Sequence, residues 1–62
     1  MTTPADEVRL ALAAGRAAAQ ARRPVRANPY RGDADTARER VLARAWVRGY
    51  GNANPMPVDY SG

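Results

Sequence analysis

A chain of 62 residues forms one domain at most and buries proportionately little surface, so its core is thin and its stability marginal. It contains neither cysteine nor histidine, which excludes disulfides, thiolate metal sites and histidine general bases. Its formal net charge is +4, its pI is near 10.7 and all ten basic residues are arginine, a balance that favours a polyanionic partner, of which nucleic acid is the commonest.

The first element is a helix over about residues 4–22. Thr3 is placed to cap it, Pro4 suits the first helical position, and Asp6 and Glu7 suit the positive end of the helix dipole. Val8, Ala11, Leu12, Gly15 and Ala19 recur at the spacing of one helical face, with Arg9, Arg16, Gln20 and Arg23 on the other. Gly15 costs about 1 kcal/mol relative to alanine inside a helix, so its presence there predicts a close backbone approach. Arg22 and Arg23 complement the negative helix end before Pro24 stops it.

A short basic connector carrying Arg26 leads to the turn Asn28-Pro29-Tyr30-Arg31-Gly32-Asp33. Pro29 biases Asn28 away from the helical region, and Gly32 tolerates dihedrals that other residues resist. This break predicts that the chain folds back on itself, with Tyr30 held at the corner and packed on the helices. A second helix is expected over about 35–50, where Thr36 and Glu39 match a capping box. Ala37, Val41, Leu42, Ala45, Trp46, Gly49 and Tyr50 line its apolar arc, beside a stripe of Arg40, Arg44 and Arg48. Arg38 intrudes near the start of that arc, where its stem can lie on the core while its head reaches solvent. Trp46, the only tryptophan, is the anchor of the core, and Gly49 and Gly51 mark the helix end. The reading is all-α: a two-helix antiparallel hairpin over residues 1–50, with a flexible tail over 51–62 that carries Pro55 and Pro57.

No residue set has the form of a catalytic site. The paired acids sit at helix starts, where capping accounts for them, the one serine has no histidine to activate it, and no phosphate-binding glycine loop occurs. A non-enzymatic protein without cofactor or metal is expected. No apolar run approaches the roughly 20 residues that span a bilayer, and no leader pattern opens the chain, which predicts a cytoplasmic protein without a membrane partner.

Between Arg9 and Arg48, ten arginines against Asp33, Asp35 and Glu39 leave a window of +7. Arg16, Arg23, Arg26, Arg31, Arg40, Arg44 and Arg48 are the candidate contacts to structured RNA, because a guanidinium pairs bidentately with phosphate and stacks on bases. A second class of function stays open. The apolar arc of the second helix could instead receive another copy of the chain or a different protein, as a small inhibitor of a host factor would.

Gly15 with Ala18 and Ala19, then Asn28-Pro29-Tyr30, then Ala45-Trp46 followed by Gly49 form a pattern that resembles the ribosome modulation factor family. The resemblance covers roughly residues 12–50. It implies a small basic helical hairpin in which Gly15, Asn28, Pro29, Tyr30, Trp46 and Gly49 are structural. It also implies binding to the small ribosomal subunit near the 3′ end of its RNA, where family members block initiation and promote ribosome hibernation. Asn28 stands where the best-known members carry cysteine, and the segment from Tyr30 to Trp46 is a few residues longer here.

Overall fold

The structure is a computed structural model and describes residues 3–53. It is all-α among those residues: helix α1 spans Pro4–Gln20, a single 3-10 turn spans Val25–Ala27, and helix α2 spans Ala37–Ala53. Neither helix is long and apolar enough to cross a membrane.

Helix α1 begins as the residues dictate. The Thr3 hydroxyl accepts from the Asp6 N–H at 3.1 Å, and the Asp6 carboxylate accepts from the Thr3 N–H at 3.4 Å, which closes a capping box ahead of Pro4. The helix ends two residues before the predicted boundary, in a Schellman motif. The Arg23 N–H donates to the Ala18 carbonyl at 2.9 Å and the Arg22 N–H to that of Ala19 at 3.0 Å. Arg22 occupies the left-handed position of this motif, at φ 60°, where glycine is the usual residue. Among the described residues it alone has a positive φ, so the freedom expected of Gly32 is not what turns the chain.

Two helices packed along each other form as predicted, but the antiparallel sense does not. Glu7 of α1 pairs with Arg38 of α2 at one end, Leu12 and Gly15 meet Gly49 and Trp46 in the middle, and the Tyr50 hydroxyl donates to the Arg23 carbonyl at the other. Like ends are together, and the helices run in the same direction. A short connection would enforce the antiparallel alternative. Here residues 21–36 are long enough to return along a 17-residue helix of about 25 Å, and they do so as a strap.

The strap is tied to α2 at successive levels. Asn28, at φ −54° and ψ 118°, has the extended backbone that a following proline requires. Its Oδ1 accepts from the Tyr30 N–H at 3.0 Å while its Nδ2 donates to the Ala43 carbonyl at 3.2 Å. Further along, the Arg31 N–H donates to the Glu39 carboxylate at 3.2 Å. Glu39 is therefore spent on the strap rather than on the reciprocal half of its own capping box, of which the Thr36 hydroxyl supplies only the bond to the Glu39 N–H, at 3.3 Å.

Small residues govern the helix contact. A Cβ on Gly15 would collide with the Trp46 carbonyl, and a Cβ on Gly49 would collide with the Leu12 carbonyl. The close approach predicted at Gly15 is thus half of a reciprocal pair. Gly49 is not a helix terminator, and α2 runs through it and through Gly51 to Ala53, which also removes the first residues of the predicted tail. The remainder of that tail, 54–62, lies outside the described residues. The reciprocity extends to the sequence, since Val8, Ala11, Leu12 and Gly15 are matched 34 positions on by Leu42, Ala45, Trp46 and Gly49. An approximate two-fold axis along the helices relates the two sets.

Ala11, Ala18, Leu42, Ala45 and Trp46 form the core, with Val8, Leu12, Tyr30 and Tyr50 packed on it. Trp46 is 2% exposed and its ring stacks on that of Tyr50 at 5.3 Å between centroids. One indole, with Leu42, fills an interior otherwise lined by alanine, which is how so short a chain makes a core at all.

Candidate nucleic-acid interface

The two-fold leaves two grooves between the helices, and they differ. On one flank the strap covers the seam, with Asn28, Tyr30 and Arg23 lying against Ala43, the core and Tyr50. On the other flank the seam is open. Val8 and Leu12 of α1 and Val41 and Ala45 of α2 line it, and Arg44 and Arg48 stand on its α2 side. Helical spacing puts Arg9 and Arg16 on the α1 flank next to Leu12. Two arginines therefore line one shallow apolar groove, and two more lie on the adjoining flank of α1.

All ten arginines are exposed, and among the described residues only two are ion-paired: Arg31 with Asp33 at 3.5 Å and Arg38 with Glu7. The first pair is solvated on both sides and is worth little to stability. In the second, the Arg38 guanidinium lies against the Glu7 Oε2, which is shielded from solvent. The Arg38 stem borders a small apolar recess with Pro4, Val8, Ala37 and Val41, which agrees with the reach expected of it.

The predicted contact residues divide into three groups. Arg44 and Arg48 line the open groove, and Arg16 lies on the adjoining flank of α1 with Arg9, an outer-face residue that is not among the predicted contacts. Arg23, Arg26 and Arg31 lie on the strap, with the unselected Arg22 beside them. Arg40 belongs to neither, because its Nη1 donates to the Ala34 carbonyl at 2.6 Å and to that of Asp35 at 3.2 Å. It closes the entry to α2, which leaves Arg44 and Arg48 of the predicted stripe at the groove. Arg22 could have been found from its position just beyond a helix end where glycine is usual. Arg9 could have been found from its spacing of seven from Arg16.

The apolar arc of α2, offered as a protein-binding face, is largely turned inward. Leu42, Ala45, Trp46 and Gly49 are buried against α1, Tyr50 is half-buried, and of the arc only Ala37 and Val41 remain exposed, Val41 at 49%. No family model matches the chain, and neither the curated proteins nor the solved structures include a similar one.

Proposed function

We propose that the protein binds structured RNA through its arginines, without catalysis, and that the small ribosomal subunit is the target its sequence resemblance indicates. The observation that supports this reading is the set of exposed guanidinium groups without acid partners among the described residues, of which Arg44 and Arg48 line one groove between the helices while helical spacing puts Arg9 and Arg16 on the adjoining flank of α1. An arginine kept for stability is normally paired or hydrogen-bonded, as Arg38 and Arg40 are here. Among the described residues Arg44 and Arg48 are not, and their forked, permanently charged heads suit phosphate oxygens and base faces. The groove is shallow, which fits a helical backbone better than an extruded base. Occupying the small subunit in this way would regulate translation by obstruction and requires no cofactor.

The test is a titration of a folded fragment of small-subunit ribosomal RNA at several salt concentrations. Log affinity should fall linearly with log salt, with a slope of about 0.7 to 0.9 per phosphate neutralised. Arg44→Glu with Arg48→Glu should weaken binding roughly tenfold or more, the scale of one to two charge-assisted hydrogen bonds, and should leave helix content unchanged. Unaltered affinity in that variant at physiological salt removes the reading.

A further inference from the structure

We infer that the recess between the strap and the outer face of α2 is a platform for one unpaired base of the RNA, laid flat beside Arg44 and Arg48. The inference deepens the RNA reading and rests on it. Asn28 and Gly32 of the strap and Ala43, Arg44, Val47 and Arg48 of α2 border this recess, whose volume is about 370 Å³. Arg44 and Arg48 border the open groove as well. They stand one helical turn apart, about 6 Å along the axis, on a ridge with an apolar surface to either side. A strand whose phosphates they hold therefore has its bases within reach of the recess.

Four of these residues are not explained by the fold. Gly32 does not have a positive φ, and a Cβ on it would meet nothing within 4 Å, so neither conformation nor space requires glycine there. Val47 is 46% exposed and takes no part in the core. Arg44 and Arg48 have neither an acid nor a carbonyl partner among the described residues, in contrast to Arg38 and Arg40. A lone exposed valine calls for no explanation; its meeting with the other three at one recess does. The remaining two residues are fixed in place. Ala43 is buried, and the Asn28 amide is held by the Tyr30 N–H at 3.0 Å and the Ala43 carbonyl at 3.2 Å. A primary amide carries two N–H donors and two lone pairs on its oxygen, so one of each is left for the edge of a base.

The occupant follows from this chemistry. Val47 and Ala43 offer an apolar floor to a ring, a guanidinium stacks on a base face while its charge holds phosphate, and Gly32 leaves the strap side of the recess clear of a side chain. The recess is shallow, which suits a base resting on one face rather than one enclosed on both. In a paired helix the base faces are stacked on one another, so only an unpaired base can lie here.

Two RNA hairpins decide the matter, one fully paired and the other identical except for a single unpaired adenosine in its stem. The second should bind about two- to fivefold more tightly, the scale of a cation–π contact at an exposed site. In that complex alone, the Val47 methyl resonances should shift upfield under the ring current of the base. Gly32→Leu places a side chain at the rim of the recess and Val47→Ser removes its apolar floor. Both positions are exposed, so both variants should keep the helix content of the parent. Each should lose the preference for the unpaired adenosine while binding the paired hairpin with the parent's affinity and salt slope. Equal affinity of the parent for the two hairpins, a preference that survives either substitution, or a missing Val47 shift overturns the inference and leaves the RNA reading intact. Binding of neither hairpin, even at low salt, removes the RNA reading itself, so the two failures are distinguishable.

Discussion

The strapped flank and the open flank of the helix pair arise from equivalent positions, yet one holds the fold and the other does not. On the strapped side, Ala43 gives its carbonyl to Asn28, and Tyr50 stacks on Trp46 while its hydroxyl holds the Arg23 carbonyl at 2.7 Å. On the open side the equivalent positions are Arg9 and Arg16, exposed and paired with no acid among the described residues. Among the described residues, cohesion is thus concentrated on one side of the helix pair and unpaired positive charge on the other. In a domain this small, the arginine groove can vary with little cost to folding, whereas the strap cannot.

The largest effect should come from the seam that both flanks share. Gly15→Leu forces a side chain into the Trp46 carbonyl, with no flexible neighbour to yield, and the helices must separate. Overpacking a yielding core costs about 1 to 3 kcal/mol; against backbone, and in a marginally stable domain, the outcome should be loss of the cooperative thermal transition. Gly15→Ala and Gly49→Ala test the two-fold. Their losses should be equal within about 0.5 kcal/mol, despite a gain of about 1 kcal/mol in helix propensity at each site. Unequal midpoints in urea would show that only one of the two contacts is tight.

Next in size is the strap. Asn28→Ala removes two hydrogen bonds from a half-buried group and should cost about 1 to 3 kcal/mol. Arg44→Ala, at a similar level on the open flank, should stay within about 0.5 kcal/mol of the parent. Paired denaturant titrations measure the contrast, and equal losses would erase the distinction between the flanks.

These contrasts also mark what could be read from the residues. The start of α1 was legible because a capping box is local, completed by Thr3, Pro4 and Asp6 alone. Gly15 was legible because an interior helical glycine demands a reason. Gly49 was misread for the complementary cause: near a predicted helix end a glycine suggests termination, and only the opposing Leu12 carbonyl reveals its purpose. The direction of α2 was hidden for a deeper reason. Asn28-Pro29-Tyr30 specifies an extended corner equally well in a tight reversal and in a strap, and the choice rests on distant partners, the Ala43 carbonyl and the Glu39 carboxylate. At the groove, composition identified the charge, but which arginines are free depends on where backbone carbonyls fall. Arg40 and Arg44 are one helical turn apart, and among the described residues only Arg40 is engaged.

The smallest effect concerns Arg22, which lies where the strap begins. An L-residue in the left-handed region costs about 1 to 2 kcal/mol, a penalty glycine escapes, and no hydrogen bond or ion pair of the Arg22 side chain among the described residues offsets it. Arg22→Gly should therefore stabilise the protein by about 1 kcal/mol or less, once the greater chain entropy of glycine is subtracted. Arg22→Ala separates charge from conformation, because alanine keeps the strain and loses the guanidinium. If Arg22 serves only the fold, the glycine variant should be more stable and bind RNA as the parent does. If it serves the basic cluster with Arg23 and Arg26, both variants should bind more weakly, with the salt slope reduced by about one phosphate's share, while only the glycine variant gains stability. Thermal midpoints and RNA titrations on the same three proteins separate the two outcomes. The second would identify a strained position at which arginine is held against the local preference of the backbone because the strap, too, faces the polyanion.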